Sequence, residues 1–276
     1  MNEKSLLRTG TLDVENVTGD ITFVRTLIAN VCFVGDPFRG DWVLIDTGLE
    51  SMTHLLEKEA MERFGRPPKS IILTHGHFDH VGGVMTLSDR FEAPVYAHPL
   101  ELPFLTGQQD YPLADPAVGG GLMAEISPLY PHKAIDLKNR VHPLPSDGSV
   151  PNLPDWRWIH TPGHSPGHIS LYREADGALI AGDAFITVRQ ESALAVISQK
   201  MEINGPPAYF TPDWEQAKQS VQKLAALRPQ LAVTGHGQPV SGDELVLGLS
   251  RLADNFDELA VPEQGRYVDE AGHNEE

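Results

Sequence analysis

An apolar strand-like run, Ser70-Ile71-Ile72-Leu73-Thr74, delivers the chain directly into His75-Gly76-His77-Phe78-Asp79-His80. In an extended backbone, residues two apart point to the same side, so the imidazoles of His75 and His77 go together. Gly76 between them leaves a narrow path. Asp79 and His80 follow where helical spacing begins, and their side chains swing toward a neighbouring position. Three imidazoles and a carboxylate are more than one tetrahedral ion with an open position needs. Two adjacent divalent ions sharing the cluster is the economical reading. The fold must therefore bring a buried strand to the floor of a pocket and supply further ligands from elsewhere.

Four more pieces stand at the ends of expected strands: Asp46 in LIDTG, His164 in TPGHSPGH, Asp183 in AGDAF and His236 in TGHG. Taken singly, each has a bland reading. A histidine before glycine is usually a turn residue, and an aspartate after a strand commonly caps or forms a turn. The remaining histidines, among them His54, His98, His168 and His273, are read first as solvated or packing residues. Of these, His98 is also weighed for the pocket edge, and His168 for packing behind the site.

Around these pieces the chain alternates strand and helix patterns. Residues 11–48 read as short, mostly antiparallel strands, and 51–64 (SMTHLLEKEAMERF) as an amphipathic helix stopped by GRPP. Residues 81–91 and 213–227 read as further helices, 94–98, 155–160, 168–173, 178–182 and 230–235 as strands, and 241–259 as a last helix. The stretch 101–150, rich in Pro and Gly, reads as a long loop region with a short helix near 120–130. One domain over 1–276 is expected, with a core of about 10–240 and a C-terminal helix and tail over 241–276. The tail from Val261 is read as loosely docked. No repeat at a fixed period is visible.

Composition narrows the partners. The 276 residues carry 21 Lys+Arg against 38 Asp+Glu, a formal charge of −17, which argues against a broad grip on nucleic acid or an anionic membrane. No apolar run reaches the roughly 18 to 20 residues that span a bilayer, and the start lacks the apolar core of a signal peptide. A cytoplasmic protein acting on a small molecule is expected. The single cysteine, Cys32, excludes an intrachain disulfide and a thiolate cage, and reads as a small core residue.

With these residues in view, the sequence resembles the metallo-β-lactamase-fold hydrolase superfamily, whose signature HxHxDH is matched by His75, His77, Asp79 and His80. The resemblance covers roughly residues 10 to 240. It implies an α/β, four-layer αβ/βα sandwich with the site at one edge of two sheets. It also implies one metal held by His75, His77 and His164, a second by Asp79, His80 and His236, and Asp183 bridging them with a water or hydroxide. Asp46 would be an outer carboxylate orienting a ligand imidazole.

Such a pair of cations, zinc by the ligand types and otherwise iron or manganese, turns water into a nucleophile and polarises the scissile group. Asp79 would hold the attacking water and pass its proton to the leaving group. Asp183 argues against a true β-lactamase, which generally lacks the bridging aspartate, and leaves small esters, lactones and thioesters ahead of phosphodiesters. Ile186 stands where acyl-homoserine lactonases often place a catalytic tyrosine. The acidic C-terminus is unlike the basic glutathione-binding region of glyoxalase II. The competing enzyme class is a mononuclear iron persulfide dioxygenase, whose Gly-His-Thr-x-Gly-Cys motif reads Gly163-His164-Ser165-Pro166-Gly167-His168 here. Aromatic residues in the loops, Tyr111, Tyr209 and Phe210 among them, suit an apolar pocket wall, and the Tyr209 hydroxyl is a candidate oxyanion donor.

Overall fold

The computed structural model describes residues 12–268. The readings of His273 and of the extreme termini fall outside them. The first half of the chain lays down seven strands paired in chain order: β1 (Asp13–Asn16), β2 (Ile21–Thr26), β3 (Ala29–Gly35), β4 (Trp42–Ile45), β5 (Ile71–Ile72), β6 (Val95–Ala97) and β7 (Val141–Pro143). Pairing is antiparallel from β1 to β4 and parallel from β4 to β7. The second half supplies β8 (Ser149–Val150), β9 (Leu153–His160), β10 (Ile169–Arg173), β11 (Ala178–Gly182), β12 (Leu231–Thr234) and β13 (Val240–Ser241). These form a six-stranded sheet in the order β13-β12-β11-β10-β9-β8, with β11 and β12 parallel.

Side-chain alternation turns the sheets into layers, because successive residues of a strand face opposite sides. Phe23, Cys32, Val34, Val43 and Ile45 meet Trp156, Leu171, Ile180 and Val233 between the two sheets. Their strand neighbours Val24, Val31, Phe33, Trp42 and Leu44 face outward onto α1 (Thr53–Phe64) and the helices α2 (Phe78–Val81) and α3 (Val84–Phe91). There Trp42 stacks on Phe64 with ring centroids 4.5 Å apart. On the far side Tyr172, Leu179, Ala181 and Ala232 pack under Trp214, Val221, Leu245 and Phe256. The four-layer αβ/βα sandwich is thus built by strands apolar on both faces. Cys32 lies in the inter-sheet layer, and burial raises its thiol pKa.

The 101–150 stretch is more ordered than its Pro and Gly content suggests. It holds α4 (Leu102–Leu105) and α5 (Leu122–Glu125), then β7 and β8, which edge the two sheets. Strands of three and two residues carry no readable period, which is why the sequence reads as loop there. A further short helix, α6 (Ala193–Ser198), precedes α7 (Trp214–Ala226). The expected last helix is broken: α8 (Gly242–Asp254) stops at Asn255, whose φ of −126° and ψ of 35° leave the helical region, before α9 (Phe256–Leu259). The described residues after it, through 268, are docked. The Tyr267 hydroxyl donates to Leu113 O at 2.7 Å and the Arg266 amide donates to Asp115.

Candidate metal centre

Each piece singled out by sequence leaves a sheet at the carboxyl end of a strand: Asp46 after β4, residues 75–80 after β5, His164 after β9, Asp183 after β11 and His236 after β12. The two sheets are joined at this edge. Ile169 N donates to Thr74 O at 2.9 Å, and Asn30 N to Gly235 O at 2.8 Å. The seven ligand-type residues fall into three overlapping groups whose donor atoms lie within 4.8 Å of one another: His75-His77-His164, His75-His80-Asp183 and Asp79-His80-His236. All seven are buried.

The outer hydrogen bonds decide which nitrogen each ring presents. His75 Nδ1 lies 3.0 Å from Thr74 Oγ1, and His80 Nδ1 lies 2.9 Å from Asp46 Oδ2. His164 Nδ1 lies 3.3 Å from Thr211 Oγ1, which itself donates to Pro207 O, and His236 Nδ1 lies 2.6 Å from Ile28 O. Each of these acceptors takes an Nδ1–H, leaving the Nε2 lone pair for the cluster. Those Nε2 atoms surround Asp183 Oδ2 at 4.0 Å (His75), 3.6 Å (His80), 3.3 Å (His164) and 3.0 Å (His236). His77 instead turns Nδ1 toward His164 Nε2 at 2.8 Å.

This arrangement fits a cation. His75 Nε2, His80 Nε2 and Asp183 Oδ1 are buried with no hydrogen-bond partner, a costly state for polar atoms unless an ion takes their lone pairs. Electrostatics point the same way. Burial first, then neighbouring imidazoles, hold His75 and His164 well below the usual histidine range, and burial sets His77 at about 3, so these rings stay neutral. Burial also opposes protonation of His80 and His236, but the Asp183 and Asp79 carboxylates outweigh it and raise both. Burial opposes ionisation of Asp183 too, yet His236 and His80 keep its carboxyl well below the usual carboxylate range.

Asp46 backs the centre from behind. It adopts φ +59°, uncommon for a residue other than glycine. Its Oδ1 accepts from Thr74 N at 2.8 Å, and its Oδ2 from Thr74 Oγ1 at 2.7 Å as well as from His80. His168 does pack behind the site. Its Nε2 accepts from Asp183 N at 2.8 Å while its Nδ1 lies 3.0 Å from Thr161 O.

The cleft leading to the centre is lined by His77, Tyr111, Leu113, His164, Phe210 and Tyr267, with free space of about 10 Å³, near that of one water. Roomier concavities of about 550 and 600 Å³ lie elsewhere and hold none of the seven residues, so the chemistry decides the site. Of the residues considered for a substrate pocket, Phe210 lines the cleft and stacks on His77 at 4.7 Å. Tyr209 is buried beside it with Ala114 and Ala124, and burial, then Asp79 and Glu191, hold its phenol well above the usual range. His98 is engaged elsewhere, stacked on His160 at 4.3 Å and edge-on to Trp158. Sequence reasoning passed over Glu101 and Tyr267. Neither belongs to a motif, and only the folded chain brings them to the centre.

Layers and centre together define a metal-dependent enzyme class, and the chain belongs to the metallo-β-lactamase superfamily, whose model matches residues 18–236. It is similar to the "Probable metallo-hydrolase YflN" of Bacillus subtilis (strain 168), with 48% identity over 235 residues, 84% of this chain and 89% of the relative. The "Probable metallo-hydrolase YybB" of the same organism is 29% identical over 204 residues, 74% of this chain and 79% of that protein. Among solved structures, TTHA1623 in a di-iron-bound form superposes with a TM-score of 0.53 at 27% identity, covering 85% of this chain and 98% of that one. The BLEG-1 B3 metallo-β-lactamase superposes at 0.56 and 24% identity, covering 83% of this chain and 93% of its own, a likeness of fold.

Proposed function

We propose that this chain hydrolyses a small carboxylic ester, lactone or thioester with two divalent cations. The observation that carries the reading is the ring of Nε2 atoms 3.0–4.0 Å from Asp183 Oδ2, in which His75 Nε2, His80 Nε2 and Asp183 Oδ1 have no hydrogen-bond partner. His75, His77 and His164 would hold one ion, Asp79, His80 and His236 the other, and Asp183 would lie between. When bound, such a pair lowers the pKa of water toward neutral and polarises the oxygen of the scissile group. The chain's own residues do the rest. Asp79, buried in the first turn of α2, would accept a proton from water and return it to the leaving group. Tyr209, held protonated, keeps a hydroxyl hydrogen to offer toward substrate oxygen.

The walls favour the substrate class. Aromatic and proline side chains line a narrow cleft, which suits a small neutral acyl group better than a charged phosphodiester. The −17 charge favours the same choice. Among the described residues no helix is long and apolar enough to cross a membrane. The ligand set suits zinc, and the di-iron form of TTHA1623 supports iron as the alternative. Metal quantitation, followed by assays on lactones, thioesters, aryl esters, β-lactams and phosphodiesters, tests the proposal. About two ions per chain with chelator-sensitive ester, lactone or thioester turnover is expected. One iron per chain with oxygen uptake on a persulfide, or turnover confined to β-lactams or phosphodiesters, overturns it.

A further inference from the structure

A buried carboxylate that the hydrolytic chemistry does not use lies between the two loops carrying His75, His77 and His164. Glu101 ends the 3-10 turn Pro99–Glu101 after β6 and is fully buried. Its Oε1 accepts from Ser165 Oγ at 2.7 Å and from Gly167 N at 2.8 Å. Its Oε2 accepts from Gly76 N at 3.0 Å and from the Tyr111 hydroxyl. Gly76 sits between His75 and His77, and Ser165 follows His164. One side chain therefore ties together the backbones that bear three ligands from two different sheets.

The surroundings are shaped around this carboxylate. A Cβ on Gly167 would lie 2.7 Å from Glu101 N and 2.8 Å from Glu101 Cγ, and one on Gly76 would lie 2.4 Å from Tyr111 Oη. Both glycines beside the ligands are thus required by closeness to Glu101 or to its Tyr111 partner. All four donors are neutral groups. Both oxygens act only as acceptors, the pattern of an ionised carboxylate, whereas a glutamine would set its amide hydrogens against donors on one side. Desolvating the group is costly, so its retention needs a return.

We propose that Glu101 is a positioning residue for the His75-His77-His164 cation position, clamping the two loops at the separation that lets three imidazoles share one ion. The inference rests on the two-cation reading and divides the outer hydrogen bonds between the positions. The hydrogen-bond partners of the Glu101 carboxylate are Gly76, Tyr111, Ser165 and Gly167, whereas Asp46 bonds His80 directly.

Cobalt(II) titration of metal-stripped protein, followed by its visible absorption, tests the assignment. In a His236→Ala background, which leaves the first position, Glu101→Gln should weaken cobalt binding roughly 10- to 100-fold, the usual effect of losing an outer partner. In a His164→Ala background, which leaves the second, the same substitution should change affinity by less than about threefold. Unchanged binding in the first background, or equal weakening in both, overturns the proposal. If Glu101→Gln does not fold, Ser165→Ala and Tyr111→Phe each remove one donor from opposite oxygens and should show the same selectivity. Their failure to weaken the first position overturns it equally. Uptake of fewer than two ions by the parent protein would instead refute the two-cation reading, and Glu101 would then be judged on the first position alone.

Discussion

A Cβ placed on Gly235 would lie 1.9 Å from Asp183 Oδ1 and 2.8 Å from His80 Cε1. No side chain fits there unless Asp183 or the backbone moves. Gly235 N also donates to Gly182 O at 2.7 Å, locking the ends of β11 and β12 side by side. Gly235→Ala should therefore displace the central carboxylate while leaving the sandwich intact. Turnover is expected to fall by about 10- to 100-fold, as for a loss of ligand orientation, with metal content after dialysis reduced and the circular dichroism spectrum preserved. An alanine variant that keeps its metal and its rate would show that the crowding is relieved without cost.

Asp79 is buried with its Oδ2 3.7 Å from His236 Nε2, in a short helix at the cluster rather than in a strand of either sheet. Asp79→Ala should lower turnover by about two to four orders of magnitude, the range for losing a proton-transfer group. The unfolding midpoint of the metal-free protein should change little. Wild-type rates in a metal-replete Asp79→Ala protein would remove it from the mechanism.

The sequence announced the centre more clearly than its setting. His75, His77, Asp79 and His80 are legible because a strand's two-residue period and the helix start that follows leave them one place to go. His164, Asp183 and His236 are legible only jointly, each at a strand end beside small residues. Glu101 is not legible, because its role depends on β6 delivering it between the loops at Gly76 and Ser165, a contact across 25 and 64 residues. His98 shows the opposite case, a side chain whose neighbours the sequence does not announce. Its strand-end position suggests the pocket edge, and in the fold its ring stacks on His160. β7 and β8 are too short to carry a pattern, and they owe their existence to the sheets they edge.

His98 gives a pH dependence separable from the centre. Burial first, then the nearby His160, lower its pKa from 6.5 to about 4. The folded value lies below the unfolded one, so the unfolded chain takes up the proton first. The contribution is fully present above about pH 6.5 and is lost as pH falls toward about 4. His98→Phe keeps an aromatic ring and removes the titration. The wild-type urea midpoint should therefore fall relative to that of His98→Phe as pH drops through that window. A gap that stays constant from pH 7.5 to 4.5 would mean that His98 titrates normally.

Metal removal should be visible as stability, because His75 Nε2, His80 Nε2 and Asp183 Oδ1 have no protein partner. A ligand at a thousand times its Kd stabilises by about 4 kcal/mol, and each kcal/mol shifts Tm by about 2–4 °C in a protein of this size class. Stripping with a chelator should lower Tm by roughly 10 °C, and zinc should restore it. Equal melting of stripped and zinc-saturated protein would mean that the cluster is satisfied without a cation.

The mouth of the cleft is closed partly by the chain's own last described residues. Tyr267 lines it together with Leu113, and the hydrogen bond from the tyrosine hydroxyl to Leu113 O, 2.7 Å, holds the two walls together. Free space there is near that of a single water, so a substrate using this cleft needs these walls to part. Tyr267→Ala removes both the ring and the tie, and it touches none of the seven ligand-type residues by hydrogen bond. Larger acyl groups should then be accepted, with KM for the bulkier members of an ester series falling about tenfold, the worth of about 1.4 kcal/mol. kcat for the smallest member should stay within a few-fold and metal content should stay at the wild-type level. Tyr267→Phe, which keeps the ring and loses only the hydroxyl, should give an intermediate profile. If neither substitution alters the dependence of KM on acyl size, the C-terminal wall is not the one the substrate meets.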